Sequence, residues 1–164
     1  MTFPLSDQPL RRYAVACRYG WTEEAKAASS ETLKLNVHAP EHRPLLEGLG
    51  TVALLDLFAL HRERREVLRA RLDEPPFIGA ATVCVPCGWR LDYNTWRELK
   101  YKIILEMDVR PLGDTICKGL EEWWEAQACW NAKCPNMDCN RLLYDKQLTI
   151  TAISKAIADL KTTT

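Results

Sequence analysis

The sequence lacks a surplus of either charge. Lys and Arg together number 22 and Asp and Glu also 22, a formal net charge of zero over 164 residues. Without an excess of one sign, there is no general attraction to nucleic acid or to an anionic membrane surface, and neither class is favoured. Long hydrophobic runs are missing too, since none approaches the roughly 18 to 20 apolar residues a membrane-spanning helix needs. Thr2 to Asp7 carry neither a basic stretch nor an apolar core, so no secretory signal is expected. The expectation is a soluble intracellular chain, in cytoplasm or nucleus, with no membrane contact. Gly-rich phosphate loops, G-x-S-x-G, H-E-x-x-H and Cys/His/Asn constellations are all absent, which leaves no catalytic residue to nominate. The chain therefore reads as non-enzymatic. There is no internal repeat and no low-complexity segment. Hydrophobic residues at 47% and charged residues at 27% are ordinary globular proportions, which excludes disorder and fibrous classes.

Cysteine is what the chain has in excess. Seven thiols form an odd set in a chain expected to stay reduced, which argues against a disulfide framework and for a metal. Cys84-Val85-Pro86-Cys87 is a C-x2-C followed by Gly88, and Cys134-Pro135-Asn136-Met137-Asp138-Cys139 is a C-x4-C. Each reads as a knuckle, a short turn that points two thiolates one way with main-chain amides facing the sulfurs. Together they supply four soft anionic ligands, the set a closed tetrahedral site requires. Cys84, Cys87, Cys134 and Cys139 are thus the expected ligands of one structural Zn2+, with Lys133 or Arg141 placed to offset the excess negative charge. The stretch between Cys87 and Cys134 is long for a minimal finger and must hold helices of its own. Cys17 shares a helical face with Leu10, Tyr13 and Ala14 and reads as core. Cys117 and Cys129 stay open as replacement ligands. A thioredoxin-like redox reading of Cys84 and Cys87 is weakened because Gly88 follows the motif and no βαβ pattern surrounds it. His38 and His42 have H-x3-H spacing, but Pro40 breaks the helix that would align them, so they read as loop residues.

Periodicity predicts a mainly α fold. A first helix is capped by Ser6 or Asp7, tolerates Pro9 in its first turn and stops at Gly20. A second opens at Trp21–Thr22, with Glu23 and Glu24 where the helix dipole favours acids. A loop holding Pro40, Pro44, Gly48 and Gly50 precedes a long helix from Thr51 to about Leu72. Its apolar face reads Leu54, Phe58, His61, Arg65, Leu68 and Leu72, widened by Leu55. The Arg62–Arg71 segment then reads as a solvated face with built-in pairing of Glu66 to Arg62 and Arg69. Pro75–Pro76 marks a boundary, so residues 1–74 form a three-helix unit and 75–164 a small helical zinc-binding unit with two cysteine knuckles. In the second unit a strand over Ile78–Val83 leads into the first knuckle. A helix from Asn94 or Thr95 to Pro111 carries Trp96, Leu99, Ile103 and Met107 inward. A further helix contains Leu120, Trp123, Trp124, Gln127 and Ala128, and the last runs from Thr149 to Leu160. Trp89, Trp96, Trp123, Trp124 and Trp130 read as core, with Glu121, Glu122 and Glu125 on the wet face opposite.

Leu10-Arg11-Arg12-Tyr13-Ala14-Val15-Ala16-Cys17-Arg18-Tyr19-Gly20-Trp21-Thr22-Glu23-Glu24-Ala25 resembles the stretch just after the BTB (POZ) domain in a large group of mushroom-type fungal proteins. That stretch has the form L-R-x-Y-A-x-A-C-R-[FY]-G-W-x-x-E-A. Leu57–Arg62 resembles the next helix of that group, and the paired cysteines near Cys84 and Cys134 resemble its C-terminal part. The resemblance covers nearly the whole chain and implies the C-terminal region of a BTB-domain protein, lacking the BTB fold itself. The expected function is a non-enzymatic protein–protein interaction or adaptor module stabilised by structural zinc, with a protein partner. The alternative is a zinc-stabilised nucleic-acid binder that uses the Arg62–Arg71 helix.

Overall fold

The computed structural model describes residues 8–78 and 83–164 and is mainly helical, with no named strand among the described residues. The helices are α1 (Pro9–Tyr19), α2 (Thr22–Thr32), α3 (Arg43–Glu47), α4 (Thr51–Arg71), α5 (Asn94–Val109), α6 (Ile116–Glu122), α7 (Trp124–Trp130) and α8 (Lys146–Ala158), with one 3₁₀ turn at Pro40–His42. None among the described residues is long and apolar enough to cross a membrane. The described residues divide into two compact units. The first runs to Glu66 and takes in Asp108–Leu112 and Lys161–Thr164, while the second comprises Val67–Met107 and Gly113–Leu160. The sequence suggested a single break after residue 74, but each unit is built from separate stretches of chain.

In the first unit, α1 begins with Pro9 in its first turn, where the missing N–H has no helical partner to lose. It ends at Gly20, whose φ of 70° closes a left-handed cap: the N–H groups of Gly20 and Trp21 bond the carbonyls of Cys17 and Ala16. Ser6 and Asp7, the expected caps, lie outside the described residues. The Arg12 guanidinium grips both carboxylate oxygens of Glu31 on α2 at 2.8 and 2.7 Å. The Tyr13 hydroxyl donates to the Ala53 carbonyl of α4 at 2.9 Å. Leu10, Tyr13, Ala28, Val37, Leu46 and Leu57 form the apolar centre.

Helix α4 corrects the expected face. Its buried positions are Leu57, Leu60, His61, Arg64, Leu68 and Leu72, whereas Leu55 is exposed and Arg65 only half-buried. The stripe is rotated because Arg64 occupies a core position, contrary to the reading of Arg62–Arg71 as one solvated surface. Arg64 is 2% exposed. Its Nε donates to the Pro111 carbonyl at 2.8 Å, Nη1 to the Lys161 carbonyl at 2.6 Å and Nη2 to the Leu112 carbonyl at 3.1 Å. A forked, planar cation thereby satisfies main-chain acceptors from two distant segments, which is why those segments belong to this unit. Arg65 pairs with Glu66 and with Asp108, the latter at 2.5 Å, and the Leu112 N–H reaches the Leu33 carbonyl at 2.8 Å.

One turn before Arg64, His61 is also buried. The Thr32 hydroxyl donates to the Ser29 carbonyl at 2.6 Å, so it can only accept from His61 Nε2, 3.0 Å away. The imidazole is held neutral. Burial first, then the neighbouring His38 and Arg64, lowers its pKa from 6.5 to about 4.

The second unit is built on aromatic rings. Trp96 is fully buried on α5, stacked between Phe77 at 5.3 Å and Tyr144 at 5.8 Å, with its indole N–H on the Leu72 carbonyl at 3.1 Å. Trp96, Leu99, Ile103 and Met107 are the buried face of α5, the four positions that periodicity placed inward. Trp130 is buried too and bonds the Leu120 carbonyl at 2.9 Å, but Trp89 and Trp124 are exposed, so the tryptophans are not all core. The single helix expected around them is two. Trp123 turns extended (ψ 140°), and its indole lies over Gly119, where an added Cβ would collide with the ring. α8 starts at Lys146 and not Thr149, because the Asp145 side chain accepts the Leu148 N–H at 2.9 Å. Of the strand expected over Ile78–Val83, residues 79–82 lie outside the described residues, and Val83 makes one isolated bridge to Arg90.

Two outcomes are expected from the buried polar groups. Arg64→Met leaves three main-chain carbonyls without their donor and should cost about 3–5 kcal/mol, whereas Arg62→Ala should stay within roughly 0.5 kcal/mol. Urea denaturation compares them, and equal small losses would show that water replaces the guanidinium. His61 is uncharged when folded, while the unfolded chain takes up its proton as pH falls below 6.5. Its stabilisation is therefore complete above about pH 6.5, declines as pH falls towards 4 and is lost below. Between about pH 7 and pH 4.5 the wild type should lose roughly 2 kcal/mol more than His61→Gln. Identical pH slopes would refute the buried neutral imidazole.

Candidate metal centre

The two cysteine pairs form turns of one design. In the first, Val83 pairs with Arg90 and the Cys84 N–H donates to the Trp89 carbonyl at 2.7 Å. In the second, Lys133 pairs with Leu142 and the Cys134 N–H donates to the Arg141 carbonyl at 2.8 Å. In both, the first cysteine bonds the residue two positions after the second cysteine. The residue directly after the second cysteine is left-handed in both, Gly88 at φ 70° and Asn140 at φ 45°. Glycine has no side-chain penalty there, and asparagine is among the few other residues that tolerate it. Asn136 shapes the longer loop. Its carbonyl accepts the N–H groups of Cys139 and Asn140 at 3.0 Å, and its side chain accepts that of Asp138 at 3.0 Å.

These turns bring four sulfurs together. The Sγ atoms of Cys84, Cys87, Cys134 and Cys139 all lie within 4.8 Å of one another. Cys84 and Cys139 are 3.8 Å apart and Cys87 and Cys134 3.5 Å apart, across the two knuckles. A tetrahedron with metal–sulfur bonds of about 2.3 Å has sulfur–sulfur edges of about 3.8 Å. The separations match that cage and are far longer than the about 2.05 Å of a disulfide. All seven cysteines are free thiols. Cys84 and Cys134 are buried and Cys87 and Cys139 half-buried.

Main-chain amides face the sulfurs. The Trp89 N–H bonds the Cys87 sulfur and, outweighing burial, holds its thiol down at about 7. Burial, with the neighbouring thiols, pushes Cys84 up to about 12, although the Cys87 N–H opposes it. Burial likewise raises Cys134, against the Asn136 N–H. Such amides would stabilise thiolates around a cation, and the donor set therefore fits a metal ion. Arg141 contributes to the turn through its main-chain carbonyl.

The remaining cysteines stand apart from this group. Cys129, held open as a substitute ligand, is fully buried in the core of the second unit, where desolvation pushes its thiol up to about 12. Cys117 is exposed on α6, 3.2 Å from the Ser154 hydroxyl. Cys17 is half-buried beside the first unit's apolar centre. His38 packs against Phe58 in a tilted arrangement, ring centroids 5.2 Å apart. The spacing of the cysteines identified the cluster, but only the fold reveals the paired left-handed residues. Gly88 and Asn140, each directly after a second cysteine, were the available signal for them.

No protein-family model, curated protein or solved structure matches the chain.

The geometry leads to a definite cysteine-scanning outcome. Serine replacement at Cys84, Cys87, Cys134 or Cys139 should abolish or weaken the visible bands of thiolate-bound Co2+ in the metal-substituted protein. Replacement at Cys17, Cys117 or Cys129 should leave them. Bands that survive Cys139→Ser but vanish with Cys129→Ser would overturn the ligand set.

Proposed function

We propose that this chain is a non-enzymatic protein-interaction module whose second unit is held together by one structural zinc ion. The observation that carries the reading is the four-sulfur cluster. Four thiolates fill every position of a tetrahedral dication, so such an ion keeps none for water or substrate. Zinc is the ion that this soft, tetrahedral ligand set suits best, and in a small unit its binding free energy adds directly to folding. The resemblance of Leu10–Ala25 to the stretch following a BTB domain supports the interaction role. The cytoplasm or nucleus, where thiols stay reduced, is the compartment consistent with such a site.

The nucleic-acid reading loses its main support. Within Arg62–Arg71, Arg64 is consumed by main-chain carbonyls, Arg65 by Glu66 and Asp108, and Arg71 by the Ala156 carbonyl at 3.1 Å and Asp159 at 3.9 Å. A phosphate-binding face needs cations free to replace counterions, and at least three of these five are already engaged.

Elemental analysis of protein purified without chelator should give one zinc per chain. Chelation should strip amide protection from the two knuckles and from α5 to α8, while α1 and α2 retain theirs in hydrogen exchange on the full chain. A metal-free chain with protected knuckles would refute the structural zinc. Salt-sensitive binding to a random DNA or RNA pool would favour the nucleic-acid reading instead.

A further inference from the structure

The second unit holds a cleft that the cysteine cluster does not use. It has a volume of about 450 Å³, lies between the end of α4 and α5, and falls wholly within that unit. None of the four clustered cysteines lines it. The helical repeat of α5 builds one wall, since Trp96, Lys100 and Ile104 lie four residues apart along the helix. Arg97 and Tyr101 follow them one step round, also four apart. Arg69 in the last turn of α4 and Asp73 just beyond it complete the polar lining. Ile78, Trp96 and Ile104 supply apolar surface, and Tyr101 is 65% exposed at the mouth.

The charges of this lining are unequal. Asp73 is its one carboxylate, and the Lys100 ammonium meets it at 2.5 Å. Only 16% of the Lys100 side chain is exposed, so this pair serves to join α5 to the end of α4. Two guanidinium groups remain. Arg97 is exposed and gives its hydrogen bond to a neutral acceptor, Asn94 Oδ1, at 3.3 Å. Counting Arg69, the lining sets three cations against one carboxylate, a formal charge of +2. Guanidinium forks match the paired oxygens of a carboxylate or a phosphate. A concave apolar surface with a few convergent polar groups, in the range of roughly 300–1,000 Å³, has the build of a small-ligand site.

We propose that this cleft binds a small aromatic oxyanion, a flat apolar body carrying one carboxylate or phosphate. The oxyanion sits against Arg97 and Arg69, and the body lies along Tyr101 and the isoleucines. A cation would meet two guanidinium groups, and a neutral isostere would forgo their attraction, so the lining discriminates by charge as well as by shape. The site is independent of the zinc and of the interaction-module reading.

The probes are naphthoate, naphthyl phosphate and the neutral naphthamide, each titrated calorimetrically into the full chain as purified. At least one anion should bind with a dissociation constant of about a millimolar or below, an ordinary affinity for a ligand of that size. It should bind about tenfold more tightly than naphthamide, and the tighter of the two anions identifies the oxyanion. Added salt should shrink that margin. Arg97→Gln and Tyr101→Ala, both at exposed positions and checked for folding by circular dichroism, should each weaken the anion about fivefold. Lys118→Ala, which removes an exposed cation on α6, should leave binding unchanged. Anions that bind no better than naphthamide would overturn the charge selection on which the proposal stands. Binding indifferent to both Arg97→Gln and Tyr101→Ala would put the anion elsewhere and overturn this cleft. Absence of binding by either anion up to about 10 mM would overturn it as well.

Discussion

The Arg64 guanidinium is the constraint on which the first unit depends. A cation taken out of water is costly, and burial alone lowers the Arg64 pKa from its ordinary value. The cost is offset only because all three nitrogens find carbonyls, at Pro111, Leu112 and Lys161. Those carbonyls have the converse problem, since acceptors in irregular segments near a core need donors from somewhere. One side chain answers both needs. It thereby draws residues far along the chain into the same unit as α4, and no apolar residue of similar volume could substitute, because none donates a hydrogen bond.

That same residue explains where sequence reasoning was strong and where it was weak. The four inward residues of α5, the glycine end of α1 and the cysteine grouping were all legible, because periodicity, left-handed glycine and ligand spacing are local signals. The phase of α4 was not. A pattern search counts arginine as polar and turns it to solvent, and the acceptors that make Arg64 a core residue lie 47 and more positions away. The break at Trp123 has a similar origin. Trp123 and Trp124 both fit a helical stripe, yet only the contact of one indole with Gly119 decides which ring folds back and which stays in water. The early start of α8 was different in kind: Asp145 is an ordinary N-cap, visible in the sequence and not used.

The two units solve the problem of polar burial in different ways. The first buries Arg64, His61 and Thr32 and satisfies them internally. Among its described residues the second buries no charged side chain and instead gathers thiols, which are compatible with apolar surroundings when protonated and could act as ligands to a cation. The chemistry available at each follows. Four sulfurs brought within 4.8 Å of one another form a cluster that could hold a metal ion, and Arg64, Arg65 and Arg71 are tied to carbonyls and carboxylates of the fold.

Tyr13 shows how scaffold and surface are connected. Its ring is part of the apolar centre, its hydroxyl reaches across to Ala53, and its other flank lines a hollow in the first unit. The hydrogen bond sets the distance between α1 and α4, and the small residues on both helices keep that distance from being filled. Burial raises the Tyr13 pKa well above its usual value, so the hydroxyl keeps its proton and the contact persists across the physiological range. The hollow beside Tyr13 is thus bounded by a contact that the fold itself fixes.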